Sequence, residues 1–225
     1  MKLVIFDCDG TLVDSQNAIF ASMHHAFSTL GLATPSRPEV LGVIGLSLPE
    51  AFAVLAPDCD QTTQAELAQA YRTLPHQRRT ESGHDPLFAG AHAIVTALAR
   101  QDDIVLGIAT GKSRRGVARL IEREGWHGHF LTVQTADDHP SKPHPSMILR
   151  AMAETGVMPQ AALMVGDTSY DMEMARNAEV GAIGVAWGYH ARERLTLAGA
   201  HAVADTFDGL LALIDARFAA QAATA

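Results

Sequence analysis

Short apolar runs of strand length recur along this chain, and helical stretches separate most of them. The runs cover residues 2–6, 104–109, 131–134, 162–165, 182–186 and 200–204. The helical stretches cover residues 91–101, 114–124, 146–154, 170–178 and 207–218, with apolar residues at three- and four-residue spacing. Strands that alternate with helices are joined by right-handed crossovers in a parallel sheet. The sequence therefore predicts an α/β fold with a doubly wound parallel sheet.

Residues 15–83 interrupt this alternation, because they contain helical patterns without a convincing strand. Candidate helices span residues 17–30, 48–55 and 63–74, with glycine and proline breaks between them. This pattern predicts a core formed by residues 1–14 and 84–225, and an inserted helical domain formed by residues 15–83. We expect the two tethers of the insert, near residues 11–15 and 83–90, to act as hinges for a lid over the edge of the sheet.

Composition excludes several classes of partner. The chain has 225 residues and a formal net charge of −8, with 17 lysines and arginines against 25 acidic residues. Without a dense basic cluster, neither nucleic acid nor an anionic membrane surface is an expected partner. Cys8 and Cys59 do not indicate a disulfide framework, and we find no signal peptide or apolar run of membrane-spanning length. We therefore expect a protein of the reducing cytoplasm, and the sequence predicts no oligomeric state.

The strongest local signal is FDCDGTLVD at residues 6–14, where an apolar strand leads into two carboxylates. Asp7 and Asp9 are two residues apart, so they share a face at the strand end where parallel sheets bind ligands. Carboxylates this close need a cation or a shared proton. One of them can therefore act as a nucleophile, and the other as a general acid and base.

Three further motifs follow predicted strands. Thr110 and Gly111, in ATGK, offer a hydroxyl and a flexible N–H to a phosphate oxygen. Lys142, in the proline-rich loop PSKPHP, is an anchored cation that can clamp a transferred phosphoryl group. Asp167 and Asp171 offer hard oxygen ligands for Mg²⁺. Taken singly, each motif has an alternative: turn chemistry, a solvated loop lysine, or complementation of a helix dipole.

All four motifs end strands at one edge of the same predicted sheet. Together they supply carboxylates, a hydroxyl, an N–H and an ammonium, which phosphoryl transfer through a carboxylate nucleophile requires. The sequence therefore predicts a magnesium-dependent phosphohydrolase that acts on a small phosphorylated metabolite. We expect Asp7 to attack the phosphorus.

In this order, the four motifs resemble those of the haloacid dehalogenase superfamily, and within it the phosphoglycolate phosphatase-like branch. The resemblance spans nearly the whole chain and implies a Rossmann-like core with a helical cap inserted after the first strand. It implies that Asp7 is the nucleophile and a Mg²⁺ ligand, and that Asp9 is the acid/base and lends its backbone carbonyl to the metal. It also implies that Thr110 binds phosphate and that Lys142 stabilises Asp7 and the phosphoryl oxygens. It implies that Asp167 is a Mg²⁺ ligand. It also implies that Asp171 either binds the metal directly or supports a residue that does.

Asp9 narrows the reaction within this superfamily. Relatives that cleave carbon–halogen bonds lack an acid at this position, and so do phosphonate-cleaving relatives, which also need a cap lysine. Residues 15–83 contain no lysine. A phosphomutase of the β-phosphoglucomutase type keeps both carboxylates and is one alternative; a catalytically silent module that binds phosphate or regulates is another.

The insert is expected to select the leaving group. The candidate substrate-binding residues are Gly45 and Ser47 in the loop GVIGLSLPE, Arg72 in a candidate helix, and Gly111 in the core. One departure from the family pattern lies outside these motifs, in the helix-end segment of Ala178, Glu179 and Val180, where relatives usually place a glycine.

Overall fold

The computed structural model describes residues 1–74 and 84–222. A six-stranded sheet has the order β3-β2-β1-β4-β5-β6, and every pairing in it is parallel. Its strands are β1 (Lys2–Phe6), β2 (Ile104–Thr110), β3 (Phe130–Thr135), β4 (Ala162–Gly166), β5 (Gly181–Val185) and β6 (Ala202–Ala204). The predicted doubly wound parallel α/β fold is confirmed.

Helices α1 (Gln16–Thr29), α2 (Arg37–Gly42), α3 (Leu48–Leu55) and α4 (Gln61–Thr73) belong to the insert. The helices beside the sheet are α5 (Ala91–Ala99), α6 (Arg114–Glu124), α7 (Ser146–Thr155), α8 (Ser169–Asn177), α9 (Arg192–Ala198) and α10 (Phe207–Ala222). The sequence pattern does not predict α2 or α9, because helices of 6 and 7 residues are too short to show a periodicity. Among the described residues, no helix is both long and apolar enough to cross a membrane.

Both faces of the sheet are buried. In β1, Val4 and Phe6 join one apolar cluster with residues of α5, α6 and α10, whereas Leu3 and Ile5 join a second cluster with residues of α7, α8 and α9. Strands covered on both faces have few polar positions, so they read as continuous apolar runs. This arrangement explains why the strands are visible in the sequence.

The insert has an apolar cluster of its own. Its centre includes Phe27 and Phe52, whose ring centroids lie 6.0 Å apart, together with the fully buried Leu67. The described part of the insert therefore packs around its own core, as a separate unit would. The predicted boundary at residue 83 falls within residues 75–83, which lie outside the described part of the chain, so this division stays a prediction.

The strand order places a crevice beside β1. β1 pairs with β2 on one side and β4 on the other, with Phe6 level with both Ile108 and Val165. The chain passes from β1 to β2 and β3 in one direction and to β4, β5 and β6 in the other. Ligands bind beyond the carboxyl ends of strands at such a switch point, so the residues that follow β1, β2 and β4 form the candidate site.

Candidate active site

Asp7 lies one residue beyond β1 and is 1% exposed. Its N–H continues the sheet ladder by donating to the carbonyl oxygen of Val165 at 2.9 Å. Its Oδ1 accepts the N–H of Cys8 at 2.7 Å, and its Oδ2 lies 2.9 Å from Nζ of Lys142. Burial is the largest influence on Asp7 and raises its pKa to about 6, against the lowering effect of Lys142.

Lys142 joins Asp7 to Asp171. Its Nζ lies 2.6 Å from Oδ1 of Asp171, and its side chain is 0% exposed. Burial by itself would lower the pKa of Lys142, but the carboxylates of Asp171 and Asp7 hold the pKa above its ordinary value. The lysine is therefore an interior ammonium, and its alternative as a solvated loop lysine is wrong.

Three buried acids gather beside this ammonium. Asp7, Asp167 and Asp171 each offer one carboxylate oxygen, and these oxygens lie within 4.8 Å of one another. Burial, followed by the charges of Asp171 and Asp7, raises the pKa of Asp167 well above its ordinary value. One lysine offsets only one of three negative charges, so a divalent cation fits the remainder, and hard oxygen donors suit Mg²⁺.

Hydrogen bonds fix the orientation of two of these acids. Asp167 accepts from the hydroxyl of Thr11 at 2.8 Å and from the N–H of Tyr189 at 2.9 Å. Oδ2 of Asp171 accepts from the hydroxyl of Thr168 at 2.7 Å and from its N–H at 3.0 Å. The bond from the Thr168 N–H, together with a bond in which the N–H of Asp171 donates to the hydroxyl oxygen of Thr168 at 3.3 Å, forms a capping box at the start of α8. Asp171 therefore caps the helix with one oxygen and contacts Lys142 with the other. A place at the start of the helix and a place in the acid cluster are thus compatible.

Gly10 allows the turn after β1 to pass close to Asp167. Its φ is +88°, and a Cβ atom at this position would lie 2.2 Å from Oδ2 of Asp167. Any other residue would therefore strain the backbone and displace the carboxylate.

Asp9 is paired with a different cation. Its Oδ1 lies 2.6 Å from Nζ of Lys112, whose pKa burial would lower but Asp9 and Asp85 hold above its ordinary value. Asp7 and Asp9 thus have one lysine each, so the shared proton considered for this pair is not needed. The carboxylate of Asp9 is not a member of the three-acid cluster. Its metal contact through the backbone carbonyl stays a prediction.

The sequence does not predict the ion pair between Lys112 and Asp9. The residue is part of the ATGK motif, but its partner belongs to the loop after β1, a hundred residues earlier in the chain. Because Phe6 is level with Ile108, the loops after β1 and β2 meet at the same height of the sheet. The strand order would therefore have revealed the pair, whereas the local sequence does not.

Thr110 and Gly111 follow at the end of β2. Thr110 is 1% exposed, and its side chain hydrogen-bonds to Asp7 and lowers the pKa of that carboxyl. A Cβ atom on Gly111 would lie 2.9 Å from the carbonyl oxygens of both Gly45 and Leu46. The glycine therefore leaves room for the insert loop to pack against the core.

A cavity of about 790 Å³ lies between the sheet edge and the insert, and both Asp7 and Asp9 line it. The predicted substrate- and phosphate-contacting residues that also line it are Gly45, Ser47, Arg72, Thr110 and Gly111. Lys142 is outside the lining, with its Nζ against Asp7 and Asp171. The residues that can contact a substrate therefore line the cavity, whereas Lys142 and Asp171 do not.

The insert loop is bonded to the core at several points. The N–H of Ser47 donates to the hydroxyl oxygen of Ser141 at 2.8 Å, and the phenol of Tyr170 donates to the carbonyl of Gly42 at 3.0 Å. The hydroxyl of Ser47 donates to the carboxylate of Glu50 at the start of α3. Its side chain is therefore engaged within the insert, although the residue lines the cavity.

Tyr189 links the acid cluster to the first tether of the insert. Its backbone N–H bonds to Asp167, and its phenol oxygen lies 3.1 Å from both the N and the Oγ of Ser15. We expect Tyr189→Phe to lower the free energy of unfolding by about 1 kcal/mol, because the buried Ser15 loses hydrogen bonds while the ring is retained. Urea unfolding of the two proteins measures this difference, and equal midpoints and slopes would contradict the link.

Comparisons with known proteins agree with this geometry. Residues 4–185 match the model of a family described as haloacid dehalogenase-like hydrolase. The chain is 34% identical over 208 residues to Probable phosphatase IndB of Dickeya dadantii, which covers 91% of this chain and 90% of that protein. It is 32% identical over 198 residues to Pyrophosphatase PpaX of Bacillus pumilus, covering 87% and 88% of the two chains. A haloacid dehalogenase-like hydrolase from Streptococcus pneumoniae has the same fold, with a TM-score of 0.80 and 24% identity over 95% of this chain and 98% of the other.

Proposed function

The chain belongs to the haloacid dehalogenase-like hydrolase family and is a phosphatase, and from this premise we propose that it hydrolyses a small, phosphoglycolate-like phosphomonoester with Mg²⁺. The observation that carries the proposal is the buried cluster of Asp7, Asp167 and Asp171 beneath a cavity of about 790 Å³. Asp7 is the one member of this cluster that also lines the cavity. It is therefore the acid that a phosphorylated substrate meets.

The reaction proceeds in two halves. A carboxylate oxygen of Asp7 attacks the phosphorus, the bond from phosphorus to the leaving oxygen breaks, and Asp9 donates a proton to that oxygen. Asp9 then accepts a proton from a water molecule, which attacks the phosphorus of the aspartyl phosphate. The bond between phosphorus and Asp7 breaks, and both inorganic phosphate and the free carboxylate are released.

The surrounding groups balance the charge of this transfer. Asp7 and Asp167, with the support of Asp171, would hold Mg²⁺, which would supply positive charge that offsets the repulsion between carboxylate and phosphate. Lys142, which does not line the cavity, adds an ammonium 2.9 Å from Oδ2 of Asp7. The Thr110 hydroxyl and the Gly111 N–H provide donors for phosphoryl oxygens at the cavity wall.

The helical insert acts as a cap that selects the leaving group. The loop with Gly45 and Ser47 and the exposed guanidinium of Arg72 line the cavity on the insert side. A guanidinium suits a substrate whose leaving group is anionic or rich in hydroxyls. The two free cysteines, Cys8 and Cys59, are compatible with the proposed reducing cytoplasm.

A substrate panel tests the proposal. We expect Mg²⁺-dependent phosphate release with kcat/KM of about 10⁴ M⁻¹s⁻¹ or more for at least one of phosphoglycolate, pyrophosphate or a sugar phosphate, with nucleotides poorer. Chelation with EDTA is expected to abolish the release, and added Mg²⁺ to restore it. Activity that survives chelation would contradict the metal dependence.

The same panel separates the two alternatives. A mutase of the β-phosphoglucomutase type would convert a sugar phosphate into an isomer with little free phosphate, which NMR of the products detects. A silent phosphate-binding module would bind substrates in calorimetry without releasing phosphate above the rate of Asp7→Asn. Either result would replace the hydrolase proposal.

A further inference from the structure

We infer that Lys112 is a positioning residue for Asp9, an inference that rests on the proposed acid/base role of Asp9. The ammonium holds Oδ1 of Asp9 at 2.6 Å. Oδ2 is then the oxygen that carries the proton between the leaving group and the attacking water. Lys112 would thus act on catalysis through Asp9, without itself forming or breaking a bond.

The pair lies where such a role is needed. Lys112 and Asp9 both line the cavity, yet their side chains are only 20% and 14% exposed. An ion pair this shielded holds its geometry better than an exposed one, because water and salt screen it less. The carboxylate therefore faces the substrate with one oxygen already occupied.

The local fold holds Lys112 at both ends. Its backbone N–H donates to the hydroxyl of Thr110 at 3.2 Å, which fixes the start of the side chain beside the phosphate-contacting wall. The stem then crosses the first turn of α6 at Gly116, where a Cβ atom would lie 2.9 Å from Cγ of the lysine. Gly116 has an ordinary helical φ, so the reason for a glycine here is the passage of this lysine.

The other lysines of the chain cannot take this place. Lys142 is bonded to Asp7 and Asp171, and Lys2 pairs with Asp103 near the opposite end of β1. Among the cations of the described residues, Lys112 has the only ion pair with Asp9. Removal of this single ammonium therefore leaves Asp9 free to rotate.

The test compares two similar substrates that differ in their need for a proton. p-Nitrophenyl phosphate has a leaving group that departs without protonation, whereas p-nitrobenzyl phosphate releases an alkoxide that requires the acid. kcat/KM reports the steps through phosphorylation of Asp7. The ratio of kcat/KM for p-nitrophenyl phosphate to kcat/KM for p-nitrobenzyl phosphate therefore measures how well Asp9 donates its proton. We expect Lys112→Met to raise this ratio by about 10-fold to 10²-fold in favour of p-nitrophenyl phosphate, as a part of the general-acid contribution.

A second signature accompanies the ratio. With p-nitrophenyl phosphate, Lys112→Met is expected to release a burst of p-nitrophenol equal to the enzyme concentration. A slow steady state follows, because Asp9 also activates the water that hydrolyses the phosphoenzyme. A lysine that only stabilised the fold would lower both values of kcat/KM together and give no burst.

Two further variants make the test specific. Gly116→Ala keeps the ammonium but obstructs the lysine stem, so we expect the ratio to change in the same direction as in Lys112→Met. Gly42→Ala is the matched control, since no heavy atom lies within 4 Å of its added Cβ, and we expect an unchanged ratio.

Asp9→Asn separates the inference from the proposed function. If Asp9→Asn raises the ratio and Lys112→Met does not, the positioning role is overturned while the proposed function stands. If Asp9→Asn itself leaves the ratio unchanged, the acid/base role of Asp9 is wrong and the inference falls with it.

Discussion

Replacement of Asp7 by asparagine is expected to reduce kcat by on the order of 10⁴-fold or more, as loss of a covalent nucleophile does in other hydrolases. The amide is close in size to the carboxylate but cannot form the phosphoenzyme. Steady-state phosphate release at saturating Mg²⁺ and substrate measures the loss. Acid quench of the unmodified protein during turnover, followed by mass spectrometry, should find one phosphoryl group on the peptide that contains Asp7 and none in Asp7→Asn.

Stability distinguishes this result from misfolding. Burial raises the pKa of Asp7 from 3.8 to about 6, so ionisation of Asp7 costs folding energy as the pH rises through that interval. Asparagine removes the cost, and we therefore expect the metal-free variant at neutral pH to have a Tm no lower than that of the unmodified protein. Asp58→Asn, at an exposed acid of the insert, is the control and should change neither rate nor Tm. Full turnover by Asp7→Asn would end the proposed mechanism.

The strands that carry the site are visible in the sequence because both faces of the sheet are buried. Val4 and Phe6 enter one core while Leu3 and Ile5 enter the other, which leaves an uninterrupted apolar run that stops at Asp7. A change from apolar to acidic at a strand end is a local signal. For the same reason, the run that ends before Asp167 is readable, and the sequence predicts both acids at the carboxyl edge of the sheet.

Several hydrogen-bond and ion-pair partners of the acids in the site lie far from them in the sequence, so local sequence patterns do not reveal them. Lys112 meets Asp9 because β1 and β2 are adjacent, and Tyr189, in the loop after β5, reaches Asp167 because β4 and β5 are adjacent. The bond of Thr168 to Asp171 is different, since threonine followed three residues later by an acid is a recognisable capping pattern. Short-range support is therefore predictable from sequence, and long-range support requires the topology.

Glu179 illustrates the same division. The family resemblance marks the segment of Ala178, Glu179 and Val180 as one where relatives usually place a glycine, and within this segment the structure gives Glu179 a φ of +60° just beyond α8. Glycine adopts positive φ without the steric cost that a Cβ atom brings. This chain therefore places a residue with a Cβ atom at a helix end whose backbone suits glycine.

Replacement of Lys142 by methionine is expected to lower the free energy of unfolding of the metal-free protein by about 3 to 5 kcal/mol, the usual cost of leaving a buried charge uncompensated. Methionine fills a similar volume, so loss of packing is a small part of this change. The ammonium lies 2.9 Å from Asp7 and 2.6 Å from Asp171. The lysine side chain is 0% exposed, so water cannot take the place of the ammonium beside these acids. Urea unfolding at neutral pH with EDTA measures the difference.

Mg²⁺ is expected to recover more stability in Lys142→Met than in the unmodified protein. Without the lysine, no ammonium offsets the charge of the three acids when they ionise, so a divalent cation gains more from binding them and the ligand-linked rise in Tm is larger. We expect kcat to remain lower by on the order of 10²-fold even at saturating Mg²⁺, because the charge behind Asp7 is missing in the transition state. Thermal unfolding over a Mg²⁺ titration measures the first effect, and phosphate release the second.

Two variants set the limits of this interpretation. Lys2→Met removes an exposed pair with Asp103 and should cost less than about 1 kcal/mol, with no dependence on Mg²⁺. Lys142→Arg keeps the positive charge but places a planar, larger group in a fully buried position, so we expect it to retain more stability than Lys142→Met without regaining the rate. If Lys142→Met unfolds at the same urea concentration as the unmodified protein, and Mg²⁺ stabilises both equally, the buried ammonium does not balance the acid cluster. Lys142 would then need an explanation other than charge.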